Sequence, residues 1–352
     1  MVNMCWIGCG KLGQPASEYM ESYGHNVKRV DVGDSIKEGV KDCEFVFVAV
    51  PTPHDPQYDG RYVCSNLEPK NFDYSIVQNV IKEADEHMTS EQCIVLISTV
   101  LPGTIRKHIL PLVTNTAFIY NPYLIAMGTV KKDMHDPEMI MMGGANSSWL
   151  SKLKNLYKGI CNADRYIIGT YEECESIKIF YNTFITTKIT LANMIQDVAV
   201  KLGNMNVDVV TDALAHSTMR IMSPAYMRAG MGDGGSCHPR DNIALRWLAK
   251  DLGLGYDLFD TIIYAREIQA KNMAKEILKH GTNIQFSSNS FKPGTDIEDG
   301  SYSILVQNYV NELGGSVVEK NPDVYVLVHP NDKPHTANNV YNFDPWNGYG
   351  ND

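Results

Sequence analysis

Continuous apolar runs, separated by polar loops that contain glycine and proline, dominate the first half of the chain. Parallel strands that helices cover on both faces have this pattern, whereas strands with one exposed face alternate apolar and polar residues. Strands are predicted at residues 4–7, 26–30, 43–50, 93–97, 118–120, 139–142 and 164–168. The pattern therefore predicts a doubly wound α/β domain over residues 1–170.

From about residue 171 the pattern changes to helical periodicity. Residues 172–202 contain neither glycine nor proline, and residues 256–280 repeat apolar side chains at spacings of mostly three and four. Together with a shorter stretch at 206–216, these features predict a helical central domain over residues 171–281. Its apolar face suits packing in a core or against another subunit.

A contracted C-terminal α/β domain is predicted over residues 282–352. Its strands are expected at 284–286, 316–318 and 324–328, with a helix at 302–313. The tail beyond Trp346 is rich in asparagine, glycine and tyrosine. We expect this tail to be loosely ordered.

Composition narrows the classes of function. A chain of 352 residues is longer than one hydrophobic core usually accommodates, so two or three domains are expected. The formal net charge of -10 argues against the phosphate backbone of nucleic acid as a partner. No apolar run approaches transmembrane length, and the chain begins in a strand-like segment without a targeting leader, so we expect no membrane partner and a cytoplasmic location. The eight cysteines lack CxxC spacing, so we expect neither a metal site nor a disulfide framework.

The first predicted strand runs into the sequence G-x-G-x-x-G at residues 8–13, and a helix is expected to follow. Gly8 would make the tight turn, Gly10 would let a pyrophosphate approach the backbone, and Gly13 would allow close packing of helix and strand. Asp31 follows the second strand, where an acidic side chain accepts hydrogen bonds from the adenosine ribose. In this context the residues predict a Rossmann-like site that prefers NAD to NADP. A purely structural glycine turn is the alternative.

Residues 230–241 form a glycine-rich turn that delivers one cysteine, Cys237, to the expected start of a helix. Glycine lets a backbone approach a ligand closely, and Pro239 and Asp241 suit a first helical turn. A helix start and a nearby Arg240 both stabilise a thiolate. The pattern therefore predicts that Cys237 is a nucleophile, with a buried cysteine in a structural turn as the alternative.

Two further features suit a binding site. Lys178 and Asn182 lie one turn apart on a predicted helix, so an ammonium and an amide can face one pocket, although a solvated surface pair has the same spacing. The loops at 51–53 and 98–104 follow predicted strands, at the carboxyl edge where doubly wound sheets hold ligands.

Together these motifs resemble the UDP-glucose/GDP-mannose dehydrogenase family, whose members oxidise the C6 alcohol of a nucleotide sugar to a carboxylate with two NAD molecules. The resemblance spans the full chain. The motifs that carry it are the glycines at 8–13, VPTP at 50–53, STV at 98–100, the segment 121–128, the helix with Glu175, Lys178 and Asn182, the loop 230–241, and FKP at 291–293.

The resemblance implies roles for individual residues. Cys237 would be the nucleophile, Lys178 and Asp241 would act with a water in proton transfer and oxyanion stabilisation, Asn182 would position the sugar, and Thr99 would lie beside the reacting centre. Cofactor contacts are expected from Gly8, Gly10, Lys11, Leu12, Gly13, Asp31, Pro51, Thr52 and Thr99. Substrate contacts are expected from Tyr123, Leu124, Ile125, Lys178, Asn182, Arg220, Arg228, Gly234 and Lys292, with Arg220 reaching the substrate of a neighbouring subunit.

Three features depart from the family pattern. Tyr123 and Met127 stand where the family has two glutamates, the first of which is associated with thioester hydrolysis. The connection from Asp31 to Cys43 is short and is expected to lack a helix and a strand, while Asp299 replaces an arginine that faces NAD. In the family, the C-terminal domain helps to hold the nucleotide. This domain is contracted here, so the sequence does not identify the nucleobase of the substrate.

The motifs and the resemblance predict an NAD-dependent nucleotide-sugar 6-dehydrogenase that acts on UDP-glucose and forms a homodimer through its helical middle. An oxidation that stalls at the aldehyde or the thioester is one alternative. A homologue that binds NAD or the nucleotide sugar without turnover is another, which the missing glutamates favour and the retained nucleophile disfavours. A hydroxyacid dehydrogenase of similar architecture would leave the cysteine loop unexplained.

Overall fold

The structure, a computed structural model, describes residues 1–58, 61, 63–65, 67–126, 128–231, 235 and 237–347. The chain forms two compact units, Met1–Thr186 and Thr187–Asp352. Their boundary falls within one long helix, Tyr171–Leu202. The division into three domains stays a prediction.

The first unit alternates strands and helices, as the apolar runs predicted. Its elements are β1 (Asn3–Ile7), α1 (Gly13–Ser22), β2 (Asn26–Val30), α2 (Ile36–Val40), β3 (Phe45–Val48), α3 (Ser75–Glu86), β4 (Cys93–Leu96), β5 (Ala117–Tyr120), α4 (Val130–His135), β6 (Ile140–Gly143), α5 (Ser147–Lys158), β7 (Tyr166–Gly169) and the start of α6 (Tyr171–Leu202). A π-helical turn, Ile105–Ile109, and short 3-10 turns at Pro56–Tyr58 and Leu110–Leu112 complete it.

The strands of this unit form one seven-stranded sheet in the order β2-β1-β3-β4-β5-β6-β7. All neighbours are parallel except β5 and β6. Alternate residues of a strand face opposite sides, so Met4 and Trp6 enter one core layer while Cys5 and Ile7 enter the other. Burial on both faces explains the unbroken apolar runs, and the predicted doubly wound fold is confirmed.

The register of the sheet aligns the ends of its central strands. Ile7 pairs with Val30 of β2 and with Val48 of β3. Val48 pairs with Leu96 of β4, which in turn pairs with Tyr120 of β5. The loops that follow these strands therefore meet at one carboxyl edge, where doubly wound sheets bind ligands.

The connection between β2 and β3, residues 31–44, contains the short helix α2 and no strand. Ser35 caps this helix by accepting a hydrogen bond from the Glu38 amide at 3.3 Å. Gly39 lets the helix lie directly on β2, because a Cβ there would be 2.2 Å from Val30 Cγ2. Five residues are too few for periodicity to reveal a helix.

The second unit combines helices with a small parallel sheet. Its elements after α6 are α7 (Val207–Ala215), α8 (Cys237–Asp251), α9 (Leu258–Ile277), β8 (Asn283–Phe286), α10 (Tyr302–Glu312), β9 (Ser316–Val317), β10 (Val324–Val326) and β11 (Tyr341–Phe343). The sheet order is β11-β10-β8-β9, with every pair parallel. No helix in the described ranges is long and apolar enough to cross a membrane.

Residues from both helices and strands share the core of this sheet. Met273 and Ile277 of α9 and Val310 of α10 are fully buried in one cluster with Val324 of β10. The strand β11 was not predicted from the sequence, because it has only three residues. It contributes Phe343 to the same cluster. Of the tail expected to be loosely ordered, residues 348–352 lie outside the described residues.

Candidate active site

The glycine loop between β1 and α1 has the geometry of a phosphate cradle. Gly8 adopts φ +93°, and a Cβ at Gly13 would lie 1.8 Å from the Gly8 carbonyl oxygen, so helix and loop are in backbone contact. A Cβ at Gly10 would meet no atom within 4 Å, which leaves open space beside the loop. Leu12, the N-cap, offers no side-chain acceptor. The Gln14 amide is already paired with the Gly10 carbonyl at 3.1 Å and Pro15 has no N–H, so an anion at this end of α1 would meet the Gly13 amide.

A cavity of about 750 Å³ opens at the carboxyl edge of the large sheet. This volume is within the range of small-molecule sites. Most residues predicted for the first unit line it, namely Gly8, Gly10, Lys11, Leu12, Asp31, Pro51, Thr52, Thr99, Tyr123, Ile125 and Lys178. The cradle and the cavity together fit a dinucleotide, with the pyrophosphate at the start of α1.

Acidic side chains surround one end of this cavity. Asp31 accepts a hydrogen bond from the Val32 amide at 2.9 Å, and its own amide donates to Asp34 Oδ2 at 2.9 Å. Asp34 and Glu83 also line the cavity. This end suits ribose hydroxyls as donors and repels an additional phosphate.

Hydrogen bonds tie the loops around the cavity to one another. Thr52 Oγ1 donates to the Thr99 carbonyl at 2.7 Å. Glu175, a fully buried residue of α6, accepts from the amides of Gly103 at 2.6 Å and Ile105 at 2.7 Å. Burial raises the pKa of Glu175, while these two amides lower it. Glu175 lies one turn before Lys178, so it fixes the loop that carries Thr99 relative to that lysine.

Lys178 is half-buried and reaches the cavity from α6. Its Nζ donates to the carbonyl oxygen of Tyr123 at 2.7 Å. Desolvation lowers the pKa of Lys178 from its usual value of 10.5. An ammonium held in this way can stabilise an oxyanion in the cavity.

The hydroxyl of Tyr123 lies in a buried hydrogen-bonded chain. It is 2.7 Å from the hydroxyl of Tyr157, which donates to Asn121 Oδ1. Asn121 Nδ2 donates to the Met141 carbonyl at 2.6 Å. Burial raises the pKa of Tyr123 well above 10. This phenol therefore stays protonated at neutral pH and is no general base.

Leu124 and Ile125, the two residues after Tyr123, pack on opposite core layers of the sheet, as successive residues of a strand do. Ile125 lines both this cavity and a smaller one, whereas Leu124, predicted to contact substrate, packs on the core of the sheet and lines the smaller cavity but not this one. Met127 lies outside the described residues. No carboxylate is present in residues 121–126.

In the second unit, Cys237 is the first residue of α8 and is exposed. Pro239 is in the first turn, where its missing N–H costs no helical hydrogen bond. Asp241 lies one turn beyond Cys237 and shares its helix face. Its carboxylate is paired with Arg240, whose Nη2 is 2.8 Å from Asp241 Oδ1. The sequence did not reveal this pairing.

The remaining predicted substrate residues are exposed and dispersed. Asn182 is exposed on α6, and Arg220 and Lys292 are exposed in the second unit. The Arg228 guanidinium lies 5.7 Å from the centre of the Trp346 ring. Gly234 lies outside the described residues. In the part of the chain that the structure describes, no cluster of His, Cys, Asp and Glu side chains could hold a metal ion.

Sequence comparisons point to one family. Residues 28–161 match the NAD binding domain of the UDP-glucose/GDP-mannose dehydrogenase family, and residues 172–267 match its central domain. GDP-mannose 6-dehydrogenase of Pseudomonas aeruginosa is 26% identical over 303 residues, which cover 82% of this chain and 66% of that protein. UDP-glucose 6-dehydrogenase of Rickettsia prowazekii is 23% identical over 359 residues, which cover 92% and 80%.

A second Pseudomonas relative, GDP-mannose 6-dehydrogenase of Pseudomonas putida, is 32% identical over 219 residues, which cover 59% of this chain and 49% of that protein. This chain therefore spans less than two thirds of both Pseudomonas relatives. Among solved structures, the ternary complex of GDP-mannose dehydrogenase from Pseudomonas aeruginosa has a TM-score of 0.81 at 20% identity and covers 96% of this chain and 99% of that one. This similarity shows a shared fold.

Proposed function

The chain belongs to the UDP-glucose/GDP-mannose dehydrogenase family, and we propose that it is an NAD-dependent nucleotide-sugar 6-dehydrogenase that converts UDP-glucose to UDP-glucuronate. The observation that carries the proposal is the single cavity in which the glycine cradle, Asp31, Thr99 and Lys178 meet. A cofactor cradle and an oxyanion-stabilising ammonium in one cavity suit hydride transfer from an alcohol.

The choice of UDP-glucose is supported by the extent of the alignments. The Rickettsia relative named for UDP-glucose aligns over more of this chain and of itself than does the Pseudomonas aeruginosa relative named for GDP-mannose. GDP-mannose is the second candidate, because both Pseudomonas relatives carry that name.

The proposed chemistry assigns each residue a step. Bound NAD supplies the hydride acceptor for each of two oxidations. Lys178 stabilises the oxyanions that form at C6, and Asp241 with a water takes the proton. Cys237 Sγ adds to the aldehyde carbon, the thiohemiacetal is oxidised to a thioester, and water then releases the acid and the thiol.

Hydrolysis is the slow stage of this scheme. The Tyr123 phenol points to Tyr157 and is protonated at neutral pH, and Asp241 is paired with Arg240. A positioned general base contributes about 10²–10⁴-fold to such a step. We therefore propose that the thioester on Cys237 accumulates before it is hydrolysed.

Incubation of the protein with NAD and a panel of UDP- and GDP-sugars tests this function. We expect two NADH per UDP-glucose consumed, with a burst of two NADH per Cys237, slower turnover afterwards, and an adduct on Cys237 by intact-mass measurement. One NADH per sugar without an adduct would mean that oxidation ends at the aldehyde. Binding of NAD or sugar without NADH formation would identify a non-catalytic homologue.

The acidic end of the cavity predicts the cofactor preference. NAD should bind more tightly than NADP, and Asp31→Asn should reduce that preference by about tenfold, equivalent to about 1.4 kcal/mol, because it removes a charge that repels the additional phosphate. Titration of both cofactors by fluorescence measures the ratio. Glu38→Gln is the matched control, because Glu38 is exposed on α2 and does not line this cavity. A wild-type preference for NADP would contradict the role of Asp31.

The proposal also includes a homodimer formed through the helical middle. Large apolar side chains are exposed on all four helices α6–α9, among them Phe180, Ile189, Val209, Trp247 and Tyr264. Exposed apolar surface of this extent is typical of an interaction site, and a second copy would cover it. Sedimentation as a monomer at micromolar concentration would contradict the dimer.

A further inference from the structure

Two aromatic side chains lie directly on the glycine-rich segment that precedes Cys237. A Cβ at Gly230 would be 2.1 Å from Trp346 Cε3, and a Cβ at Gly235 would be 2.5 Å from Phe291 Cε2. Distances this short do not occur between real side chains. Both glycines are therefore places where the backbone passes against an aromatic ring, one near each end of the segment 230–235.

Trp346 is itself held by the small sheet. It follows β11, which pairs with β10, and its Nε1 donates to the Val328 carbonyl at 3.2 Å. Its amide donates to Asp344 Oδ1 at 2.9 Å. Met231, the residue after Gly230, is 8% exposed in the same apolar cluster that Trp346 packs against. The ring thus connects the segment to a hydrogen-bonded framework.

The other end of the segment leads into the helix of the nucleophile. Gly235 adopts φ +99°, and its carbonyl accepts a hydrogen bond from the His238 amide at 3.3 Å, within the first turn of α8. Phe291 is fixed by a hydrogen bond from its amide to the Ile297 carbonyl at 3.0 Å. The contact of Phe291 with Gly235 therefore helps to determine where α8 begins. Cys237 is the first residue of that helix.

We propose that Trp346 is a positioning residue for Cys237. By packing on Gly230, Trp346 holds residues 230–231 against the small sheet, and this placement carries along the chain to the thiol at the start of α8. A nucleophile must be held close to its attack geometry, and a displacement of about 1 Å can reduce a rate by about 10²-fold. The catalytic consequence rests on the proposed function, whereas the packing role does not.

The variant Trp346→Ala tests the proposal. We expect the rate of the second NADH of the burst, which follows addition of Cys237 to the aldehyde, to fall by about 10- to 100-fold, with the dissociation constant of NAD within about twofold of wild type because the cofactor cavity is lined by residues of the first unit. Trp346→Phe should recover most of the rate, since it keeps a ring over Gly230. Hydrogen exchange of amides 228–231 should accelerate in Trp346→Ala and less in Trp346→Phe.

Tyr341→Ala is the matched control, because it removes another aromatic ring from the same C-terminal segment. Tyr341 stacks on His280 with ring centres 3.8 Å apart, and Gly230 is not part of that contact. The control should leave the burst rate and the exchange of 228–231 unchanged. Equal effects of both variants, or a parallel loss of NAD binding, would indicate general destabilisation and overturn the positioning role.

A double-mutant cycle tests the contact itself. Gly230→Ala introduces backbone strain whether or not Trp346 is present, so this cost cancels in the cycle. The overlap with the ring exists only when Trp346 is present. We expect Gly230→Ala to lower the melting temperature more in the wild type than in Trp346→Ala, and additive effects would overturn the contact.

These measurements separate the two proposals. If no nucleotide sugar supports NADH formation by the wild type, the proposed function fails. The exchange rates and the double-mutant cycle still decide whether Trp346 holds the glycine-rich turn.

Discussion

Cys237→Ser is expected to bind NAD normally and to form the acid at a rate lower by roughly 10³-fold or more, as is typical when a catalytic nucleophile is removed. A serine hydroxyl ionises far less readily than a thiol, so the covalent step fails. Because the cofactor cavity is lined by residues of the first unit, the dissociation constant of NAD should not change. The measurements are uronic acid formation by chromatography and NAD titration.

Cys64→Ser is the matched control for this prediction, since Cys64 is half-buried and does not line the cofactor cavity. It should leave both measurements at wild-type values. Acid formation by Cys237→Ser at the original rate would show that another group carries the intermediate. The adduct expected on the wild type by intact mass should also be absent from the serine variant.

The largest loss of cofactor affinity is expected from substitutions in the glycine cradle, where two positions differ in mechanism. Gly13→Ala should destabilise the fold by about 1–3 kcal/mol and abolish tight NAD binding, because its Cβ would lie 1.8 Å from the Gly8 carbonyl oxygen. Gly10→Ala should leave stability almost unchanged, because its Cβ meets no protein atom within 4 Å.

Gly10→Ala should nevertheless weaken NAD binding by at least about tenfold, or about 1.4 kcal/mol, because the added methyl group occupies the space that the pyrophosphate requires. Melting temperature and NAD titration distinguish the two variants. If Gly10→Ala bound NAD like the wild type, the open space beside the loop would not be the pyrophosphate site. If Gly13→Ala were as stable as the wild type, the backbone contact between helix and loop would be wrong.

The buried chain of Tyr123, Tyr157 and Asn121 gives a structural context to the tyrosine at position 123, where the resemblance leads one to expect a glutamate. The Tyr123 side chain reaches Tyr157 in the core, while its carbonyl holds the Lys178 ammonium. Tyr123 therefore contributes to the site through its backbone. A glutamate introduced at this position would remove the hydrogen bond to Tyr157 and place a charge where a protonated phenol is accommodated, so the sequence change is coupled to the packing around it.

The sequence by itself determined the sheet, the cofactor cradle and the place of Cys237 at the start of a helix. Strands such as Phe45–Val48 are visible as unbroken apolar runs because both faces of the sheet are buried. The three glycines at 8–13 and the cysteine at the start of α8 are local patterns, since each depends on the conformation of a few consecutive residues. Local propensity and periodicity therefore suffice to predict them.

Only the tertiary structure decided which side chains meet across long stretches of sequence. The Tyr123 hydroxyl is hydrogen-bonded to Tyr157. Glu175 accepts hydrogen bonds from the amides of Gly103 and Ile105. Trp346 packs on Gly230. None of these partners follows from spacing, because each depends on how separate elements pack and on which buried donors and acceptors need a partner. The residues that hold the candidate site in place were thus invisible in the sequence, since their effect arises from contacts that exist only after the chain has folded.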